Sequence, residues 1–259
     1  MPLVAENSFA GKTGACPRCG QQCTVPDVLL GTEFPPDFDE QTAALIRDVQ
    51  PFTMTSVERV YALRKGVEYI LTQEIPGDIV ECGVWKGGSM MAVARTLIEN
   101  GAVRRLHLFD TFEGMPEPGE IDKDFRGEPA AAQLQRQNKN TSQVWAYSPI
   151  DEVQRNLLST GFDKSQIVFT KGKVEDTIPA HAPEQIALLR LDTDWYESTY
   201  HELVHLYPRL SVGGVLIIDD YGHWKGARRA VDQYFEEAHP SMLLNRIDYT
   251  GRIGVKVGL

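Results

Sequence analysis

Two apolar stretches end in paired acids. In "LLRLDTDWYESTYHEL" the residues Leu188, Leu189 and Leu191 are followed at once by Asp192 and Asp194, and "GGVLIIDDYGHW" repeats the pattern with Asp219 and Asp220. A buried strand that ends acidic puts carboxylates at the rim of a sheet. If the two strands are neighbours, Asp192, Asp219 and Asp220 converge there. Three carboxylates offering only oxygen suit a hard divalent cation, Mg2+ or Mn2+. Without a cation their mutual repulsion is relieved by protonation. The plainer reading is a solvated edge whose acids start helices and are favoured by the helix dipole. Asp194, just ahead of "WYEST", fits that reading too. His223 titrates near neutrality and is a candidate proton acceptor, although a His beside Trp224 can equally be a packed or capping residue.

A second group follows another strand. "ECGVWKGGS" holds Glu81, Gly83, Gly87, Gly88 and Ser89, with glycines that permit tight turns and close ligand approach. Its E-x-G-x-x-x-G-G pattern is not the dinucleotide fingerprint. Lys86 precedes the glycines, so a phosphate-cradling loop is not formed and phosphoryl transfer is disfavoured. Asp110 ends the next strand, placed for two ribose hydroxyls. A glycine-rich turn followed by a strand-end acid is a nucleoside-binding pair. A nucleoside without phosphate points to S-adenosylmethionine.

The elements that must position these groups alternate. "DIVECG", "RRLHLFD", "QIVFTKG", "IALLRLD" and "GVLIID" read as buried strands. Between and after them "SMMAVARTLIEN", "DEVQRNLLSTG", "YESTYHELVHLYPRL" and "GARRAVDQYFEEA" read as helices. "TSVERVYALRKGVEYILTQ" adds a helix before the first strand, with Thr55 and Glu58 as a capping box. "LLNRI" and "RIGVKV" close the chain as an antiparallel pair. The alternation predicts an α/β, Rossmann-like fold: a mostly parallel seven-stranded sheet with an antiparallel edge and helices on both faces. Ligands of such sheets bind beyond the carboxyl ends of the strands, where all of these acids lie. Residues 111–149 interrupt the rhythm and read as a lid insertion, with Phe112, Met115, Trp145 and Tyr147 as apolar anchors.

Residues 1–50 read as an N-terminal arm and 51–259 as the main domain. The arm carries "CPRCGQQC", in which Cys16, Cys19 and Cys23 form half a zinc knuckle without a fourth ligand. Zn2+ there is set against a mobile, reduced arm or a metal site shared between subunits. A formal net charge of -10 disfavours nucleic acid as a partner. No apolar run is long enough to span a bilayer and no signal peptide opens the chain, so a cytoplasmic protein is expected.

"FTMTSVERVYALRKGVEYI", "GDIVECGVWKGGSMM", "LFDTFEGMP", "LLRLDTDWYEST" and "LYPRLSVGGVLIIDDYGHWKGARRAVDQYF" together resemble the macrocin O-methyltransferase family. The resemblance spans residues from about 50 to 256 and leaves the first fifty uncovered. It implies a class I methyltransferase that uses S-adenosylmethionine and Mg2+ to methylate deoxysugar hydroxyls of glycosylated natural products in antibiotic biosynthesis. It implies Asp192, Asp219 and Asp220 as metal ligands and Asp194 as general base, with His223 as the rival. Glu81, Gly83, Ser89 and Asp192 fall to the cofactor, Asp110 to its ribose, and Val174 and Glu175 to adenine. Met54 and Thr55 lie against the methionine end. Family members more often carry Gly where Thr193 stands. A small-molecule glycoside is the expected partner, and a homodimer or higher oligomer the expected assembly. Two alternatives stand beside this reading: a metal-dependent methyltransferase of catechol-like phenols, and a non-enzymatic zinc-knuckle adaptor on a degenerate cofactor fold.

Overall fold

The computed structural model describes residues 13–15, 22–24 and 34–258. The chain divides into two compact units, Met1–Ala44 and Leu45–Leu259. In the first, β1 (Thr13–Ala15) and β2 (Gln22–Thr24) pair antiparallel. Cys16 and Cys19 lie outside the described residues, and of Cys23 only the backbone in β2 is described. Helix α1 (Glu40–Val49) spans the division between the two units.

The second unit alternates as its periodicity predicts. Its elements are α2 (Val57–Thr72), β3 (Asp78–Cys82), α3 (Gly88–Glu99), β4 (Leu106–Asp110), α4 (Ala130–Gln135), α5 (Ile150–Leu158), β5 (Ile167–Lys171) and α6 (Val174–Thr177). There follow β6 (Ile186–Leu191), α7 (Tyr196–Leu206), β7 (Leu210–Ile218), α8 (Lys225–Ala238), β8 (Asn245–Arg246) and β9 (Arg252–Val255). Among the described residues the sheet has seven strands in the order β5-β4-β3-β6-β7-β9-β8. The first five are parallel, and β9 runs antiparallel to β7 and to β8. Strand β6 is buried along its whole length, as expected of a central parallel strand covered on both faces. None of the described helices is long and apolar enough to cross a membrane.

Helix α2 corrects one expectation. Its cap is Ser56, whose Oγ accepts from the Arg59 amide at 3.2 Å and donates to Asp248 at 2.7 Å. Thr55 is left for another partner, described below.

The insertion at 111–149 is folded. Met115, Val144 and Trp145 pack against Ala130, Leu134, Trp195, Trp224 and Ala227 in a satellite core. The indole N–H of Trp195 donates to the Pro116 carbonyl at 3.1 Å, and that of Trp145 to Leu134. Helix α7 has no cap of its own. Asp122 supplies one across the fold by accepting from the Tyr196 amide at 2.9 Å. Asp194 therefore does not cap the helix that follows it.

Candidate active site

Strand register builds the site. Cys82 pairs with Phe109 on one side and with Leu191 on the other, and Leu191 pairs with Ile218. The residues that follow, Gly83, Asp110, Asp192 and Asp219, thus share one rim. The ladders continue into it: the Gly83 amide donates to Phe109, Asp192 to Cys82 and Asp219 to Leu191, each at 2.9 Å. Gly83 has φ +80, and a Cβ there would collide with the Asp192 carbonyl. Only glycine lets the first turn lie this close to the acidic loop.

A cavity of about 400 Å3 opens on this rim. It collects nearly every residue expected from the sequence: Met54, Thr55, Gly83, Ser89, Asp110, Val174, Glu175, Asp192, Asp194, Asp219, Asp220 and His223. The insertion contributes Gly114, Met115, Pro116, Gln143 and Val144 to the wall.

Asp192, Asp194 and Asp220 each bring one oxygen within 4.8 Å of the others. Oxygens that share one hard cation at about 2.1–2.5 Å are at most about 4–5 Å apart, so the spacing fits. Oδ2 of Asp220 is buried and has no hydrogen-bond partner among the described residues. Removal from water, followed by mutual repulsion, lifts Asp192 and Asp220 well above the carboxylate range. Removal from water also raises Asp194, to about 7. This is the environment that a divalent cation neutralises. Asp194 has φ +68, a left-handed backbone uncommon outside glycine. Such a strained backbone persists where the surroundings impose it, often at functional sites.

Asp219, expected as a ligand, lies outside this trio. One of its oxygens pairs with Arg59, and the other accepts from Nη2 of Arg190 at 2.6 Å. Asp194 takes its place in the trio. Sequence reasoning missed these two arginines. Arg190 is 2% exposed and reaches Glu81 and Asp192 at 2.7 Å and Thr55 at 3.0 Å as well as Asp219. A charge in the middle of "LLRLD" was the available signal, because a fully buried arginine requires partners.

Glu81 is also placed differently. It is fully buried beneath the cavity and does not line it. Oε1 accepts from Arg190, Oε2 has no partner among the described residues, and burial raises its pKa to about 7 against the pull of Arg190. Its contact is with the arginine that holds the acidic loop.

Asp110 lines the cavity and fastens its own surroundings, accepting from the amides of Val84 at 2.6 Å, Trp85 at 3.2 Å and Phe112 at 2.6 Å. Burial still raises its pKa. The carboxylate locks the first turn to the end of β4, and the Thr111 hydroxyl adds a longer donation to Oδ1 at 3.4 Å. Thr193 turns its hydroxyl to the buried Glu202 at 3.0 Å, tying the acidic loop to α7. Nδ1 of His223 lies 2.9 Å from the Tyr249 hydroxyl, and burial lowers its pKa.

Comparison with known proteins gives the family. A 4'-O-methyltransferase of a rhamnosyl tetracenomycin from Streptomyces olivaceus is 36% identical over 78% of this chain and 69% of its own. Demethyldecarbamoylnovobiocin O-methyltransferase from Streptomyces niveus is 37% identical over 70% of this chain and 67% of its own. The structure of the O-methyltransferase NovP superposes with a TM-score of 0.68 at 32% identity, covering 80% of this chain and 83% of that one. The fold is therefore that of class I methyltransferases, and the adaptor alternative falls. The family model described as Macrocin-O-methyltransferase (TylF) matches residues 31–253, beginning about twenty residues earlier than the motifs alone suggest. This chain belongs to the macrocin O-methyltransferase family and is an O-methyltransferase.

Proposed function

We propose that this enzyme methylates a hydroxyl of a deoxysugar carried on a natural-product aglycone, with S-adenosylmethionine as donor and a divalent cation at the acidic trio. The observation that carries the reading is one cavity holding both a glycine-rich nucleoside turn and three converging carboxylates. The names of the relatives, which describe methylation of rhamnosyl tetracenomycin and of a novobiocin precursor, support the acceptor class.

Each residue then has a task. Asp110 receives the ribose hydroxyls, and Val174 and Glu175 flank the base. Asp192 and Asp220 hold the cation, which when bound supplies Lewis acidity and lowers the pKa of a nearby hydroxyl. Asp194 lines the cavity beside these two ligands, on the left-handed backbone of the acidic loop. It accepts the proton of the sugar hydroxyl. Asp219 and Glu81 act through Arg190 and Arg59, which fix the acidic loop. Met54 and Thr55 lie against the methionine end of the donor, and the wall from the insertion orients the acceptor and excludes water, so that the reacting atoms meet in near-attack geometry.

Three measurements test this. Calorimetry should show S-adenosylhomocysteine binding. Turnover of a rhamnosylated acceptor should stop on complete chelation and return with Mg2+. Mn2+ binding followed by electron paramagnetic resonance should be lost in Asp192→Asn and Asp220→Asn. Turnover that survives chelation, or full Mn2+ affinity in both variants, sinks the metal assignment.

A further inference from the structure

Beside the trio the cavity mouth is aromatic. His223 and Tyr249 line it, with ring centroids 6.0 Å apart. Phe125, from the insertion, stands 5.6 Å from His223, and Trp224 backs the same imidazole at 4.9 Å. Phe125 is 51% exposed and Tyr249 58%. Large aromatic side chains this open, grouped around an imidazole that lines the cavity, mark a surface that something covers.

These rings are held on firm supports. Both neighbours of Phe125 are fastened: Oδ1 of Asp124 accepts from the amides of Arg126 and Glu128 at 2.9 Å, and the Lys225 amide donates to Lys123 at 2.8 Å. Tyr249 is held from the next residue, because the Thr250 hydroxyl donates to the Asp219 carbonyl at 2.9 Å and the Gly222 amide to the Thr250 carbonyl at 3.0 Å. Gly222 has no room for a Cβ against the Tyr249 carbonyl. Both rings are thus anchored to the loops that carry Asp219, Asp220 and His223.

We propose that Phe125, His223 and Tyr249 form a docking platform for a flat, aromatic aglycone of the acceptor. The proposal rests on the sugar-acceptor reading above and adds what lies beyond the sugar. With donor and sugar sharing the cavity, an aglycone must extend out of it, past His223 and the exposed Tyr249, which line it, and the Phe125 ring beside His223. The rings meet at steep angles, 59° between Phe125 and His223 and 74° between His223 and Tyr249. Walls inclined in this way receive a planar ring by offset stacking on one and edge contact with another. The Arg126 guanidinium, 5.0 Å over the Phe125 ring, further suits an electron-rich arene.

The test uses the full chain with S-adenosylhomocysteine and Mg2+. Calorimetry and saturation-transfer NMR compare phenyl α-L-rhamnoside with methyl α-L-rhamnoside. The phenyl glycoside should bind about tenfold tighter, with saturation transferred to its ring, a gain that two ring contacts can supply. Phe125→Ala, and separately Tyr249→Ala, should shrink that preference while S-adenosylhomocysteine still binds, which shows the fold intact. Equal affinity for the two glycosides, or a preference that survives both substitutions, overturns the platform. So does sedimentation showing that either substitution dissociates a dimer, since the rings then belong to a subunit interface. The underlying reading fails separately. If ring saturation depends on Phe125 and Tyr249 but no glycoside is methylated, the platform stands and the sugar acceptor is wrong. If both glycosides are methylated equally well, the reverse holds.

Discussion

Replacing Arg190 by Met should damage the fold in a pH-dependent way. Arg190 is 2% exposed and pairs with Glu81, 1% exposed, and with Asp219, 4% exposed, as well as with the more open Asp192. Asp219 keeps Arg59 in the variant, and Asp192 can reach water. Glu81 keeps nothing, because its other oxygen already lacks a partner among the described residues. Removing one member of a buried ion pair costs about 3–5 kcal/mol. For a chain of this size that is a fall in Tm of roughly 6–20 °C. The sign with pH follows from Glu81, whose folded pKa of about 7 lies above its ordinary 4.5. The folded state therefore holds the proton more tightly. Its contribution is fully present below about 4.5 and declines as pH rises through about 7. Without Arg190 the carboxyl rises further, so the deficit of the variant should be smaller at pH 6 than at pH 8. Urea unfolding in chelator at both pH values reads this directly. Glu81→Gln in the Arg190→Met background should recover about 1 kcal/mol or more at pH 8, because a neutral amide replaces a buried charge. A deficit under about 1 kcal/mol at pH 8, or no recovery in the double variant, refutes the view that Arg190 holds a buried acid in place. If Arg190→Met alone does not fold, the double variant still decides the matter by folding or failing with it.

Gly83→Ala should abolish S-adenosylhomocysteine binding in calorimetry and lower stability by more than about 1 kcal/mol, since both the positive φ and the Asp192 carbonyl oppose a Cβ. Asp219→Asn should retain Mn2+ binding, whereas Asp220→Asn should lose it; the opposite order restores Asp219 as the ligand. Asp122→Ala should cost about 0.5–2 kcal/mol by uncapping α7, and should hasten proteolysis within 111–149 relative to the rest of the chain. Trp195→Ala should cost about 3–5 kcal/mol, because the satellite core loses its buried centre.

The fold was legible because its signal is local and repeated. Each apolar run of β3, β4, β6 and β7 ends at a turn residue or an acid, and helical spacing resumes after each. The insertion was legible only as an interruption. What orders it is long-range: Asp122 on the Tyr196 amide, Trp195 on the Pro116 carbonyl, and Trp145 folded back on α4. No window of neighbouring residues contains those pairs. The cap of α2 failed for a different reason. Thr55 and Ser56 are adjacent hydroxyls, of which only Thr55 has a Glu three residues on, and a distant residue, Arg190, takes Thr55 and leaves the cap to Ser56.

The exchange between Asp219 and Asp194 has a simple geometric cause. Successive residues leaving a strand point to opposite sides. Asp219 and Asp220 are successive at the bend that follows β7, and both line the cavity, but their carboxylates reach different partners. Asp219 turns toward Arg59 and Arg190, and Asp220 turns toward Asp192 and Asp194. Asp192 and Asp194 are two apart, and the left-handed backbone at Asp194 bends the loop so that both reach the same point. Four aspartates at two strand ends thus divide three to one. Asp219 serves both arginines, and Asp192 shares Arg190 with it. A polar layer of this kind makes the acidic rim sustainable without a cation and leaves the trio available to one.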